Sequence, residues 1–306
     1  MSDLGDSSAN DRWRVVVLSN IQGGVVYHLA ASVLQPLGHR IVGVVTTPGP
    51  KRIYDPAYLD VVANTPPEAE VLVTSRPSKL ASILREWDVD LIIVGGFPWR
   101  LPPEVLELPR LGVINLHPAL LPRLRGRYAL EWTFRNDESE TGITIHRMAP
   151  EFDTGAILAQ VAVPIEDDDD ADSLIRKFGP LLPDLFATAV ARIARGETGE
   201  PQDESLATDT PAFEPEWRFI DWTRPARTIH NQVRSWTGQR TTPRGAFGDV
   251  DGEQLVVLRT RLGDAEAAGG GNTPGSVIAR GSGSIVVQCG DSPLRIVEWE
   301  LASERS

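Results

Sequence analysis

Apolar positions along this chain fall into two patterns, short unbroken runs and longer stretches with helical spacing. Trp13 to Ser19 (WRVVVLS), Ile41 to Thr46 (IVGVVT), Val71 to Thr74, Leu91 to Val94 (LIIV) and Gly112 to Ile114 read as buried β-strands rich in β-branched residues. Val25 to Leu37 and Ser78 to Trp87 carry helical spacing between them, with Ser78 placed as an N-cap. The opening strand, the Gly-containing turn Asn20-Ile21-Gln22-Gly23-Gly24 and the first helix form the start of a βαβ unit. The turn lacks the full G-x-G-x-x-G pattern, which argues against a dinucleotide. A short helix is expected over Leu130 to Arg135, strands over Gly142 to Met148 and Ala156 to Ile165, and one long helix over Ala171 to Gly196. The acidic run Asp167 to Asp170, with Asp172 beyond it, suits the N-terminus of that helix.

Residues 197 to 215 are rich in Pro, Asp, Glu and Thr and read as a linker. A helix follows over Pro225 to Trp236, then short β-like runs at Gln254 to Arg261, Ser276 to Ala279, Ser284 to Cys289 and Leu294 to Glu298. Short strands separated by Gly turns suggest a small barrel, and Ala265 to Asn272 reads as a flexible loop. The expected fold class is α/β: a disordered leader over 1–12, a Rossmann-like, mostly parallel sheet core over 13–200, a linker over 201–213, and a small OB-like β domain over 214–306.

Composition narrows the function. An apolar fraction of 41% and a charged fraction of 24% are those of a globular protein. No apolar run approaches the roughly 20 residues needed to span a bilayer, and the polar N-terminus shows no export signal. The single cysteine, Cys289, excludes an intrachain disulfide and fits a reducing, cytoplasmic setting. Five scattered histidines (28, 39, 117, 146 and 230) offer no metal-ligand spacing, so no metal is expected. A formal net charge of −12 argues against a broad nucleic-acid footprint. Arg123, Arg125 and Arg127 form a local basic patch, which reads either as solubilising loop residues or as contacts to an anionic acceptor.

The candidate chemistry lies between Gly112 and Gln160. Asn115 and His117 are two residues apart at a strand end, so both side chains leave on one face; Pro118 and Pro122 then stop the strand. Asp153, in Asp153-Thr154-Gly155, sits between two further apolar runs. Taken singly, Asn-x-His is a turn with a satisfied histidine and Asp-Thr-Gly is a common turn. Taken together, a carboxamide, an imidazole and a carboxylate suit acyl transfer to an amine. Asn115 would donate to an oxyanion, His117 would polarise the acyl oxygen or do acid–base work, and Asp153 would orient the imidazole and raise its pKa. No Ser or Cys nucleophile is needed if the amine itself attacks.

This stretch resembles the formyltransferase family that uses 10-formyltetrahydrofolate, which includes glycinamide ribonucleotide, methionyl-tRNA and amino-sugar formyltransferases. The family pattern Asn-x-His-x-Ser-Leu-Leu-Pro, Arg-Gly and Asp-x-Gly appears here as Asn115-Leu116-His117-Pro118-Ala119-Leu120-Leu121-Pro122, Arg125-Gly126 and Asp153-Thr154-Gly155. Ala119 departs from the usual Ser, which affects local hydrogen bonding. The resemblance covers most of residues 13 to 300, more weakly in the C-terminal half, where it rests on Ile220-Asp221-Trp222 and Pro243-Arg244-Gly245-Ala246-Phe247. It implies 10-formyltetrahydrofolate as co-substrate and Asn115, His117 and Asp153 as catalytic residues. A pterin site is implied around Phe97, Trp99, Arg100, Leu101, Met148, Glu151 and Phe152. The acceptor side is implied to include Asn20, Gln22, Gly23, Arg123, Arg125 and Gly126, the arginines meeting an anionic acceptor or the glutamate tail of folate.

Methionyl-tRNA formyltransferases usually carry a basic, Gly-rich insertion near residue 50. This chain has Pro48-Gly49-Pro50-Lys51-Arg52-Ile53-Tyr54-Asp55-Pro56 there, and Tyr54 and Tyr58 could pack on a small ligand. With the acidic charge, this favours a small-molecule amine acceptor such as an amino sugar or biosynthetic amine. The alternatives are the initiator methionyl-tRNA, or a formyl-folate hydrolase or folate-binding protein. The sequence leaves the oligomeric state open.

Overall fold

The computed structural model describes residues 12–49, 57–237, 244–263 and 272–304. The expected leader up to residue 11, Lys51, Arg52 and Tyr54 of the loop, Pro243, and the flexible stretch through residue 271 lie outside the described residues. The chain divides into two compact units. The first comprises Met1–Arg125, Ile143–Val161 and Pro180–Ala207; the second comprises Gly126–Gly142, Ala162–Gly179 and Thr208–Ser306.

Seven strands form one sheet: β1 (Arg14–Ser19), β2 (Arg40–Thr46), β3 (Glu70–Val73), β4 (Leu91–Gly95), β5 (Val113–His117), β6 (Glu140–Arg147) and β7 (Ile157–Pro164). Their spatial order is β3-β2-β1-β4-β5-β6-β7. The pairings β1–β2, β2–β3, β1–β4 and β4–β5 are parallel, and β5–β6 is antiparallel. Between them run α1 (Val25–Leu34), α2 (Ala57–Ala63), α3 (Leu80–Glu86), α4 (Pro103–Leu106) and α5 (Ala129–Arg135); after β7 come α6 (Ala171–Phe178) and α7 (Leu182–Ala194).

The continuous apolar runs follow from burial on both faces of the parallel strands. Every residue of β4 is buried, as are Val15 to Leu18 of β1. Val16, Leu18, Val45, Leu80, Leu84, Ile92, Val94 and Val105 form one apolar cluster. Each such side chain contributes roughly 1.5–3 kcal/mol on burial. The chain runs outward from β1 to β3, returns to β4 beside β1, and continues to β5. This reversal leaves the C-terminal ends of β1, β4 and β5 on one edge, with Ser19 opposite Gly95 and Gly95 opposite Leu116. Ligands of open α/β sheets bind at such an edge.

Three helices differ from expectation: α3 starts at Leu80 after a 3-10 turn over Pro77–Lys79 that contains Ser78, so Ser78 does not cap it, and proline explains the other two. Helix α1 ends at Leu34 rather than Leu37: Gln35 keeps helical backbone and donates to the Ala31 carbonyl, but Pro36 has no N–H with which to continue the ladder. The expected helix over Ala171 to Gly196 is broken at the turn Gly179–Leu181, where Pro180 lacks a donor and crowds the preceding turn. The acidic run behaves as expected at Asp170, whose side chain caps α6 in a reciprocal pair with Ser173.

In the second unit, a helix α8 (Ala226–Ser235) packs against α5 and against a five-stranded antiparallel sheet. That sheet contains β8 (Ala246–Val250), β9 (Glu253–Arg261), β10 (Val277–Gly281), β11 (Ser284–Gln288) and β12 (Pro293–Leu301), in the order β10-β11-β12-β9-β8. β8 went unrecognised in the sequence, because Gly248 and Asp249 interrupt its apolar signal. Ile229 and Val233 of α8 join Leu255, Val257, Ile285 and Ile296 in its core. The polar residues His230, Asn231, Gln232, Arg234 and Ser235 of α8 are buried too, and most of their polar atoms are matched, Gln232 Oε1 and Arg234 Nε excepted. His230 contacts Thr260 Oγ1 and the Asp167 carbonyl, both at 2.8 Å, and Asn231 donates to Asp137.

Burial, with help from Arg234 and Arg227, lowers the His230 pKa from 6.5 to about 4 against the opposing pull of the Asp167 carbonyl and carboxylate. Below pH 6.5 the unfolded chain takes up a proton that the folded chain refuses. Stability therefore falls as pH drops from 6.5 to 4, by roughly 3 kcal/mol from this group. Denaturant titrations at pH 7 and pH 4.5 should show a smaller pH-dependent loss in His230→Gln than in the native sequence.

Candidate active site

β5 places Asn115 and His117 on one face, and its antiparallel register with β6 sets Asn115 opposite His146. The β6–β7 turn then brings Asp153 back over the same face. That turn is closed tightly: Arg147 N–H donates to the Ala156 carbonyl at 2.9 Å. A Cβ at Gly155 would stand 1.8 Å from the Arg147 carbonyl oxygen, so only glycine fits the third position of Asp-Thr-Gly.

The four polar groups converge. Asn115 Nδ2 lies 3.2 Å from His146 Nε2 and 3.4 Å from Asp153 Oδ1. His117 Nδ1 is 3.5 Å from Asp153 Oδ2, and His146 Nε2 is 3.4 Å from Asp153 Oδ1. His117 and His146 are 4% and 1% exposed, so the cluster is nearly dry. The far ring nitrogens fix the tautomers. His117 Nε2 lies 2.8 Å from the Leu124 carbonyl, and His146 Nδ1 lies 2.8 Å from the Arg147 carbonyl. A proton on each of those atoms, donated to the carbonyl, leaves His117 Nδ1 and His146 Nε2 facing Asp153.

Burial lowers the His117 pKa, and although Asp153 pulls it up as expected, burial outweighs that pull and the net shift is downward. His117 is therefore a neutral base at neutral pH. Its Nε2 is directed at Leu124 and away from the role of oxyanion donor.

The departure at Ala119 also finds an answer. Thr144 of β6 donates its hydroxyl to the Ala119 carbonyl at 2.7 Å and accepts from Leu121 N–H and Gln160 Nε2. The turn after β5 is thus satisfied from the neighbouring strand.

A cleft opens beside this cluster, lined by Arg100, Leu101, Met148, Glu151, Phe152, His146 and Asp153, with Ala149 and Pro150. Arg100 spans it, pairing with Glu151 at 2.9 Å and donating to the Pro150 carbonyl. Five of the seven expected pterin-site residues meet here. The other two do not line this cleft: half-buried Phe97 packs on the apolar cluster, and Trp99 donates its indole N–H to Thr47 Oγ1 at 3.0 Å.

The expected acceptor-side residues are more dispersed in role. Asn20 Oδ1 accepts from Thr46 Oγ1 and Thr47 N–H beyond β1. Gln22 and Gly23 are exposed on the turn that follows, where Gly23 N–H donates to Asp60. Arg123 and Arg127 are exposed, whereas Arg125 is 6% exposed and engaged by Gln202 and by both carboxylate oxygens of Glu204. Arg125 is thus a structural anchor rather than an open anion contact. Gly126 packs against Thr210, whose hydroxyl takes the Tyr128 N–H.

Two further residues belong to the site. His146 could meet His117 on the sequence alone but reads more simply as a packed strand histidine, until the β5–β6 register places it at the cluster. Gln202 lies in the stretch expected to be linker, yet its Nε2 donates to the Asp153 and Gly155 carbonyls, both at 2.7 Å.

Comparison with known proteins bears on the acceptor. Residues 15–190 match the family model described as formyl transferase, and residues 213–306 match formyl transferase, C-terminal domain. The methionyl-tRNA formyltransferase of Pelobacter propionicus is 36% identical over 234 residues, 75% of this chain and 70% of the relative. That of Citrifermentans bemidjiense is 34% identical over 275 residues, 88% and 83% respectively. Among solved structures, HypX from Aquifex aeolicus in complex with tetrahydrofolic acid shares the fold. Its TM-score is 0.65 at 20% identity, covering 95% of this chain and 45% of the HypX chain.

These relatives overturn the preference for a small-molecule acceptor, which rested on net charge and the missing basic insertion. Net charge is a sum over the whole chain. Residues 1–213 carry 30 acidic and 19 basic side chains, while residues 214–306 carry 12 and 11. The C-terminal portion is close to balanced, so the overall −12 says little about what that portion can meet. Matched in both halves, the chain belongs to the formyl transferase family.

Proposed function

We propose that the protein is a cytosolic methionyl-tRNA formyltransferase, moving the formyl group of 10-formyltetrahydrofolate to the α-amino group of charged initiator tRNA. The observation that carries this reading is the kinship with methionyl-tRNA formyltransferases over 88% of the chain, through both family segments. The shared fold with a protein solved in complex with tetrahydrofolic acid supports the folate donor.

The geometry supplies a mechanism. The amine nitrogen attacks the formyl carbon; a C–N bond forms and the carbonyl oxygen gains charge. Asn115 turns one Nδ2–H from its long contacts with His146 or Asp153 to that oxygen. The amine proton passes into the gap between Asp153 Oδ2 and His117 Nδ1, where a carboxylate faces a ring lone pair. As the bond to N10 of the folate breaks, the proton is returned to N10. His146 keeps Asp153 and Asn115 in register, and the cleft at Arg100 to Phe152 receives the pteridine.

A second feature favours a polyanionic acceptor. Arg259 and Arg261 of β9 share one face and are exposed; Arg295 of β12 stands directly opposite Arg261, and Glu298 opposite Arg259. Like charges paired across strands cost stability. The contact of Arg261 with Asp168 at 3.5 Å is exposed at both ends and weak. A phosphate backbone would relieve this repulsion.

The decisive assay follows formyl transfer to charged initiator tRNA beside free methionine and an amino sugar. Transfer to the tRNA at a rate at least 100-fold above the others is expected; folate turnover indifferent to methionyl-tRNA would refute the proposal. Asn115→Ala, His117→Ala and Asp153→Ala should each lower kcat by about 10²–10³-fold while remaining folded. The double reversal Arg259→Glu, Arg261→Glu should raise the KM for tRNA about tenfold and flatten its salt dependence, with kcat within about twofold of the native enzyme.

A further inference from the structure

The stretch after α7 returns to the site and grips it. Ile157 and Glu200 exchange two backbone hydrogen bonds, at 2.8 and 2.9 Å, just after the Asp-Thr-Gly turn. Gly199 permits this approach: its φ is +95°, and a Cβ there would lie 2.7 Å from the Ile157 carbonyl. The bridge delivers Gln202 to the back of the turn.

The Gln202 carboxamide is fully used. Its two N–H groups donate to the carbonyls of Asp153 and Gly155, at 2.7 Å each. Its Oε1 accepts from Arg125 Nε at 3.1 Å and Nη2 at 2.8 Å. Arg125 in turn grips Glu204 with two 2.8 Å contacts. Arg125 directly follows Leu124, whose carbonyl meets His117 Nε2. One short segment therefore holds the backbone under the carboxylate and, through Arg125, the residue next to the imidazole's partner.

We infer that Gln202 is a positioning residue for formyl transfer, fixing where the Asp153 carboxylate stands relative to the His117 ring. The inference rests on Asn115, His117 and Asp153 being the catalytic set. Asp153 φ is +54°, a conformation that L-residues adopt reluctantly, so the turn needs clamps to hold it. Gln202 supplies two of them, at the carbonyl of Asp153 itself and at that of Gly155 two residues on. Released, the turn relaxes and the 3.5 Å separation between Oδ2 and Nδ1 lengthens.

The test uses the full chain with Gln202→Met, which keeps the length of the side chain but can neither donate nor accept as the amide does. Its first readout needs no acceptor: the five histidines make a ring-proton NMR titration of His117 tractable. The charged and titratable groups facing that ring are Asp153 and His146. Because Asp153 holds the imidazole pKa up against burial, a displaced carboxylate should let the His117 titration move to lower pH. The second readout is formyl transfer to methionyl-tRNA, where kcat should fall at least tenfold and either KM change less than threefold. The acid limb of the rate profile should move in the same direction as the titration.

A folded Gln202→Met with either readout at the native value overturns the inference. If that variant does not fold, Gln202→Asn decides: it keeps the amide but is one methylene short, and native values for either readout overturn the inference again. Failure of both variants to fold makes the residue merely structural, which also overturns it. Asp153→Asn run in parallel separates the two levels. An active Asp153→Asn sinks the catalytic reading itself, whereas an inactive one beside a native-like Gln202→Met sinks only the role of Gln202.

Discussion

The site is organised around one carboxylate kept away from water. The Asp153 side chain is 12% exposed. A buried carboxylate is tolerated only where donors or compensating partners surround it. Asn115 donates to it at 3.4 Å and the two imidazoles flank it at 3.5 and 3.4 Å, and each is delivered by a different constraint. Alternation along β5 gives Asn115 and His117, cross-strand register gives His146, and the tight return at Gly155 gives the carboxylate itself. The same dryness sets the state of the base: desolvation of His117 outweighs its attraction to Asp153, so the ring is neutral and can take a proton.

What could be read from the sequence is what local chemistry encodes. The buried runs at β1, β2 and β4 are β-branched and continuous because helices cover both sheet faces, and they stand where expected. Asn115, His117 and Asp153 were legible because each lies where an apolar run gives way to a loop. His146 was not, because its place depends on which strand pairs with β5 and in which direction. Gln202 was not, because a polar residue among prolines and acids carries no periodic signal. Arg125 was misjudged for a related reason: an arginine in a loop looks solvated until its partners Gln202 and Glu204 are seen. The break at Gly179-Pro180 was written in the sequence and was overridden by the apolar spacing on either side.

The acceptor was misread for an electrostatic reason rather than a structural one. Screening confines charge effects to about 8–10 Å at physiological salt, so a ligand meets a local surface and not a net charge. Arg261 of β9 and Arg295 of β12 stand opposite each other on a sheet whose chain segment is almost neutral, while most of the excess acid lies earlier in the sequence. Among the described residues, no helix is long and apolar enough to cross a membrane, and buried polar contacts such as those of His230 and Asn231 finish the core of the second unit.

The positive φ of Asp153 carries a consequence for how this protein can change. Glycine or asparagine would settle into that corner more readily, at a saving on the order of 1 kcal/mol for glycine. The native side chain is thus held against the preference of its own backbone, and the sturdiest version of this turn is an inert one. Drift toward stability and retention of chemistry pull in opposite directions at residue 153, so a screen that rewards only heat resistance would tend to erase the enzyme while improving the fold.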